Sequence, residues 1–350
     1  MPGFRQALKY GYSNTRVKAM ESRLISEDAI ERMAKSKGID ELIAMLYETE
    51  YKKSMIEFGG MSIKEAMLDA AISKNMAENV AKLITITPKD EKELVRVVVS
   101  EWDFYNIVLL AEALDRKMRF EAIESKIINY GPFNKQAIRE AMKKESIESA
   151  LAYLTSIAPS TYRYAISQGI ESYKREKSTL ALLNELEHER YLMLASAVKE
   201  IKNIDESVAK VLQLDIDMHN IVEILIGRRE GIEFEKVKGQ LVEGGMLDMK
   251  RLSEAYKASS IEEMFKNIRE FDISKSLALY EKDHRLVHIE IGMAQYIQAV
   301  SAKLLRHRVL SFATIIAYVY LKKSEITKLK VIAGSKRYQL NAEEVEEMIA

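Results

Sequence analysis

The chain repeats itself. Residues 103–148 align with 217–262 at a constant shift of 114 positions and without a gap. Of these 46 pairs 13 are identical, where average composition gives roughly three. Asp103, Asn106, Ile107 and Val108 return as Asp217, Asn220, Ile221 and Val222. Phe120 and Glu121 return as Phe234 and Glu235, and Gly131 as Gly245. Glu140, Ala141 and Lys143 return as Glu254, Ala255 and Lys257, and Ser146, Ile147 and Glu148 as Ser260, Ile261 and Glu262. A looser third copy opens the chain: Tyr12-Ser13-Asn14, then Ile39-Asp40-Glu41, with an Asn-to-Ile spacing of 25 rather than 41. Internal repeats of this kind constrain a fold more than any local pattern does. They predict three related parts around one centre, a shape suited to coupling other components rather than to chemistry.

Those parts are expected to be helical. Four Pro and fourteen Gly among 350 residues are few, while Lys, Glu, Ala, Leu, Ile and Met are plentiful, which is the composition of an all-α protein. A chain of this length buries a large core. Lys+Arg and Asp+Glu both number 53, so the whole chain has no charge-driven preference for nucleic acid or an acidic surface. There is no Cys, which excludes disulfides, thiolate catalysis and Cys-ligated metal. Met1 to Tyr10 holds charges and no apolar core, so no signal peptide is expected. The longest uncharged apolar stretch, Val309–Leu321, spans about 20 Å as a helix, short of the roughly 30 Å hydrocarbon layer, and reads as a buried core helix.

Start and stop signals divide the chain further. Gly59-Gly60 breaks it. Ser62 stands three before Glu65 in a capping-box pattern, and an apolar-periodic run continues to about Ile84. Thr87-Pro88, followed by Asp90 and Glu91, predicts a second capped helix running to about Leu114. The run Val95–Val99 belongs to it rather than to a strand, because Phe104, Ile107, Val108 and Ala111 continue at helical spacing. Further helices are expected at 134–144, 146–158, 162–176, 180–199, 205–226, 248–258, 261–270, 273–303, 311–329 and 342–349. No Pro-rich or Ser/Gly-rich linker separates independent domains. Three segments follow, 1–86, 87–200 and 201–350, packed as one unit. Gly131 and Gly245 are expected to be left-handed residues ending helices. Asn106 and Asn220 sit beside an apolar stripe, where an amide is expected to bond a neighbouring helix or loop.

Chemical motifs are sparse. There is no phosphate loop of the G-x-x-x-x-G-K form and no Gly-rich dinucleotide fingerprint, so nucleotide binding is not expected. The histidines are His188, His219, His284, His288 and His307. His284 and His288 stand four apart on an expected helix with Glu281 and Glu290 nearby, a face that could hold a metal. Arg285 occupies the place where a zincin needs its glutamate, so the protease motif fails. A solvated or packed face is the plainer reading, and no catalytic residue, cofactor site or metal site is assigned. Between Lys303 and Arg337 the basic residues Lys303, Arg306, Arg308, Lys322, Lys323, Lys328, Lys330, Lys336 and Arg337 face one acid, Glu325. That stretch reads as a solvated face or as a docking surface for an acidic protein or lipid headgroups. With weak aromatic interleaving it does not point to nucleic acid. The acidic tail Glu343-Glu344-Val345-Glu346-Glu347 balances it.

Taken together, the quoted residues resemble a known family. Tyr10-Gly-Tyr-Ser-Asn14-Thr-Arg16-Val-Lys18-Ala-Met20 is similar to the start of the C subunits of archaeal A-type ATP synthases, relatives of the d subunit of V-type ATPases. Asp217-Met-His-Asn220-Ile, then Glu243-Gly-Gly-Met-Leu247, resembles the third repeat of that family. Ile316-Ala-Tyr318, Lys322-Lys323, Glu325-Ile326 and Ile332-Ala-Gly334 resemble its last long helix and turn. The resemblance covers essentially the whole chain. It implies an all-α funnel of three helical repeats with pseudo-threefold symmetry around a central cavity, acting as a non-catalytic rotor part. One end would sit on the membrane ring of proteolipid (c/K) subunits. The other would receive the central stalk of D and F subunits, so that torque passes between ion flow and ATP synthesis or hydrolysis. It implies a peripheral place at the cytoplasmic face of the membrane, with no direct small-molecule ligand and no nucleic acid. Whether the ion is proton or sodium stays open. Two other readings are an all-helical protein-interaction scaffold and a metal-dependent helical enzyme using Glu281, His284 and His288.

Overall fold

Strong helix formers with few breakers become helices almost throughout. The computed structural model of the chain describes residues 2–338 and 342–349, and among them there is no strand. Met1 and Ala350, the outer bounds of the first and third segments, lie outside the described residues, as does the side chain of Glu343 in the acidic tail.

Helix order repeats along with the sequence. The first copy holds α1 (Pro2–Glu21), α2 (Glu27–Ala34), α3 (Ile39–Leu46), α4 (Lys52–Phe58) and α5 (Lys64–Ile86). In the second come α6 (Lys92–Val98), α7 (Ser100–Asp115), α8 (Phe120–Ile123), α9 (Lys135–Ala141), α10 (Ile147–Ile157), α11 (Ser160–Glu176) and α12 (Thr179–Ile204). The third comprises α13 (Glu206–Arg229), α14 (Phe234–Lys238), α15 (Met249–Lys257), α16 (Ile261–Asn267), α17 (Ser274–Asp283) and α18 (Val287–His307). After these come α19 (Phe312–Tyr338) and α20 (Ala342–Ile349). Lys92, Phe120, Lys135, Ile147 and Ser160 each open a helix, and Glu206, Phe234, Met249, Ile261 and Ser274 do so 114 positions later. The register thus extends beyond the matched sequence on both sides. In the first copy, α2, α3 and α4 open 108 residues before α9, α10 and α11, whereas Asn14 stands 92 before Asn106. The missing stretch is the one that carries α8 and the loop after it.

The caps explain the boundaries. Asn134, Ser146, Asp205, Asp248 and Ser260 each accept a backbone N–H at the start of α9, α10, α13, α15 and α16, satisfying donors that the first turn leaves open. Other expected boundaries differ. Ser62 does not cap α5; Ile63 occupies the cap position without a side-chain bond. Thr87 closes α5 instead of opening the next helix, because its hydroxyl donates to the Leu83 carbonyl at 2.7 Å. Pro88 leads into a short 3₁₀ turn, Lys89–Glu91. The expected long helix to about Leu114 is broken at Val99 (φ −97°, ψ 6°) into α6 and α7, while Val95–Val98 is helical as its context required. The helix expected over 273–303 is broken too. His284 takes a left-handed conformation (φ 57°) and ends α17.

Two compact units divide the chain. One takes residues through Thr15, Tyr191–Ser324 and the last residues; the other takes Arg16–Arg190 and Glu325–Glu347. In the first unit, α13 packs on α15 and α18, and α17 on α18. Its core includes Val208, Leu212, Ile221, Ile289, Met293 and every residue from Phe312 to Tyr320. The Val309–Leu321 stretch is therefore mostly core, and a helix apolar on all sides belongs there. No described helix is long and apolar enough to cross a membrane. In the second unit, α4 packs on α5 and α10 on α7, α9 and α11, around Leu42, Leu46, Tyr51, Met55, Leu68, Ile107 and Leu151.

Candidate functional site

The most specific feature is a buried amide clamp that recurs in all three copies. Asn106 on α7 donates through Nδ2 to the carbonyls of Ile128 (2.8 Å) and Phe133 (3.0 Å), and its Oδ1 accepts the Ile128 N–H at 3.0 Å. Asn220 on α13 does the same to Val242, 114 positions after Ile128, donating at 2.8 Å and accepting at 2.8 Å. Asn14 on α1 holds Ser311 in the same two-way fashion, at 3.1 Å in each direction, and accepts the Thr314 hydroxyl at 2.9 Å. All three side chains are buried. An asparagine pairs both backbone groups of one residue with its own carbonyl and amino group, which no apolar residue can do. In the first copy the clamped loop is absent, and its role passes to the residue just before α19, nearly 300 positions away.

A buried carboxylate accompanies two of the clamps, one helical turn earlier. Asp103 Oδ2 accepts the hydroxyls of Tyr130 (2.9 Å) and Tyr162 (3.1 Å). The same hydroxyls lie 3.1 Å from the Val99 carbonyl and 3.0 Å from the Arg96 carbonyl, so they sit at the break between α6 and α7. Burial pushes the Asp103 carboxyl up to about 7, although both tyrosines pull it down. Asp217 instead accepts the backbone N–H of Met246 (2.8 Å) and Leu247 (3.1 Å). Burial again raises it to about 7 against those two bonds. Gly11 occupies the corresponding place on α1.

Gly131 and Gly245 are explained by these carboxylates. Gly131 is left-handed (φ 62°), but it lies in a loop and ends no helix. Gly245 is not left-handed; its neighbour Gly244 is (φ 123°). What the pair shares is closeness to the aspartate: a Cβ on Gly131 would lie 3.0 Å from Asp103 Oδ1, and one on Gly245 would collide with Asp217 Oδ1.

The histidine face does not form. With α17 ended at His284, the ring of His284 packs edge-on against Tyr280. His288, buried on α18, places Nε2 2.9 Å from Asp283 Oδ2. That contact, with the Arg285 N–H, holds the Asp283 carboxyl at about 2. Among the described residues no group of three or more His, Asp or Glu could hold a metal. A groove of about 720 Å³ runs along α10 and α11, lined by hydroxyls such as Ser146, Ser149, Ser156 and Ser167. Its charges are engaged in Lys174–Glu171 and Lys177–Glu148 pairs.

The basic stretch 303–337 is not one solvated face. In the first unit Arg308 donates to the Ser207 hydroxyl and Lys322 is buried, while Lys303 and Arg306 are exposed. In the second, Lys328 pairs with Glu27 at 2.7 Å, Lys336 reaches the Ala34 carbonyl and Lys330 lies over the Tyr105 ring. The single acid, Glu325, is the anchor: buried, it accepts the Tyr51 hydroxyl at 2.7 Å and the Ile25 N–H at 2.6 Å.

Comparison with known proteins agrees with this architecture. The family model described as ATP synthase (C/AC39) subunit matches residues 13–348. The A-type ATP synthase C subunit of Thermococcus kodakarensis is 26% identical over 347 residues, covering 97% of this chain and 90% of that protein. That of Thermococcus onnurineus is 24% identical over 352 residues with the same coverage. That of Thermoplasma acidophilum is 23% identical over 332 residues, covering 92% of each. The match spans all three clamps, from residue 13 to residue 348 within α20, and the chain belongs to the ATP synthase (C/AC39) subunit family.

Proposed function

We propose that the chain is a non-catalytic central-stalk socket of a rotary, ion-translocating ATP synthase. In this reading it joins the D and F stalk subunits to the proteolipid ring and transmits torque between them, for ATP synthesis coupled to proton or sodium transport. Its working parts are the three helical segments 1–86, 87–200 and 201–350, and its place is peripheral, at the cytoplasmic face of the membrane. The observation that carries the reading is the family match over nearly the whole chain.

The physical character of the molecule supports it. A part that transmits torque needs stiffness, which close-packed helix interiors supply. Here the loops are pinned to helices by buried asparagine amides that engage both the N–H and the C=O of one loop residue.

The test is reconstitution from purified subunits. The expected result is co-elution of the full chain with the D–F stalk on size exclusion, retention on detergent-solubilised proteolipid ring, and no ATP hydrolysis by the chain alone. Failure to associate with either partner, or hydrolysis by the chain alone, overturns the reading.

A further inference from the structure

Two turns of the chain share one backbone and differ in charge. The chain leaves α7 through a left-handed residue, Lys117 (φ 52°), and leaves α13 through Gly231 (φ 66°), 114 positions later. The hydrogen bonds repeat with them. Met118 N–H donates to the Ala113 carbonyl and Ile232 N–H to the Gly227 carbonyl, both at 2.8 Å. Arg116 N–H donates to the Glu112 carbonyl and Glu230 N–H to the Ile226 carbonyl, both at 3.0 Å. The side chains do not repeat. Where one turn reads Arg116-Lys117-Met118-Arg119, the other reads Glu230-Gly231-Ile232-Glu233.

The third copy follows local physics and the second departs from it. A left-handed residue that ends a helix favours Gly, because a Cβ there is crowded by the backbone. Arg119 stands at the start of α8 and Glu233 at the start of α14, where the positive end of a helix favours the acid. Only Arg116, at the negative end of α7, has the charge its place prefers. All three cations are exposed, and among the described residues none of them forms an ion pair. Other cations of the same copy are paired: Arg139 with Glu124 and Lys143 with Glu140. The other left-handed lysine, Lys177 (φ 49°), meets Glu148 at 2.7 Å. Lys117 holds the same unfavourable backbone without such a partner, where its own repeat uses glycine. An outlier of this kind points to a use for the side chain.

We propose that the turn Arg116–Arg119 docks an acidic segment of another protein of the assembly. Charge complementarity sets the chemistry of the occupant. Each guanidinium can take a carboxylate through two parallel hydrogen bonds, and Lys117 between them adds a point charge. A lipid surface fits less well. Recognition of anionic headgroups uses clusters of about 4–8 cations, whereas this turn carries three, and its one apolar side chain, Met118, is half-buried. The proposal rests on the reading that the chain works inside a larger assembly of several proteins.

The test uses the full chain and that assembly. A carbodiimide, which joins an amine to a carboxylate only at ion-pair distance, should link Lys117 to an Asp or Glu of a neighbouring protein, identified by mass spectrometry. No link, or links only within this chain, overturns the proposal. Lys117→Gly, which relieves the left-handed lysine, should raise the thermal midpoint of the isolated chain by about 1 °C yet weaken its incorporation into the assembly. A lowered midpoint removes the strain and overturns the proposal. The double variant Arg116→Glu, Arg119→Glu should keep its midpoint, since both side chains are exposed, and associate about tenfold more slowly at low salt, with the difference shrinking as salt rises. Normal association of the double variant sinks this proposal alone, as does its selective loss of binding to anionic phospholipid vesicles. Failure of the unmodified chain to join any assembly sinks the functional reading beneath it.

Discussion

At the scale of single residues, the asparagines and aspartates on the long helices make the sharpest predictions. Replacing Asn106 by Ala strands the Ile128 N–H and the Phe133 carbonyl in the core, while the Ile128 carbonyl keeps the Tyr130 N–H. Unsatisfied buried groups cost roughly 1–3 kcal/mol each, so Asn106→Ala should lose about 3 kcal/mol or more of stability, read from urea unfolding. Asp103 makes stability depend on pH. Its folded value of about 7 lies above the unfolded 3.8, so the folded state binds the proton more tightly. Its stabilisation is complete below the unfolded value and is lost as pH rises through 7. Asp103→Asn resembles the protonated form and should flatten the fall in the urea midpoint between about pH 4 and 7. An unchanged pH profile would show that Asp103 does not carry it. The sequence marked Asp103, Asp217 and both asparagines as repeated, because identical residues in two distant copies need a common reason. That the asparagines bond a neighbouring loop was also legible, since a mediocre helix former beside an apolar stripe needs a partner. Which peptide each would hold was not, because the partner lies 22 positions on in two copies and 297 in the third.

At the scale of elements, loops and helix ends are set by what approaches them. Gly245 has ordinary φ, yet a Cβ there would run into Asp217. Gly245→Ala should therefore destabilise by about 2–4 kcal/mol through displacement of a buried carboxylate. A thermal midpoint within a degree or two of wild type would refute the close approach. Helix α19 is anchored by Glu325, and Glu325→Ala leaves the Tyr51 hydroxyl and the Ile25 N–H without their acceptor. A loss of about 2–4 kcal/mol in chemical denaturation is expected from two charge-assisted bonds. Most helices were legible because apolar periodicity and polar caps are local signals, as at Asn134, Ser146, Asp205 and Asp248. The breaks at Val99 and His284 were not. Each depends on groups from elsewhere: the Tyr130 and Tyr162 hydroxyls at the carbonyls around Val99, and the Asp283–His288 contact across His284.

At the scale of the whole molecule, a metal role is open to direct measurement. His288 faces Asp283 rather than His284. A chelator should therefore leave the thermal midpoint of the purified chain within about 1 °C, whereas loss of a structural metal would lower it far more. A shift of several degrees with EDTA would revive the enzyme reading that used Glu281, His284 and His288.

The sequence by itself determined that this chain is all-helical, that it is built from related copies, and which family it resembles. Helix propensity, capping and repetition are properties of residues close in the chain or aligned by duplication, and they survive without coordinates. Only the tertiary structure decided how the copies differ. Ser311 closing the clamp on Asn14 and the different partners of Asp103 and Asp217 arise from segments brought together across the chain. A missing loop can be counted in a sequence, but what takes its place is settled by packing.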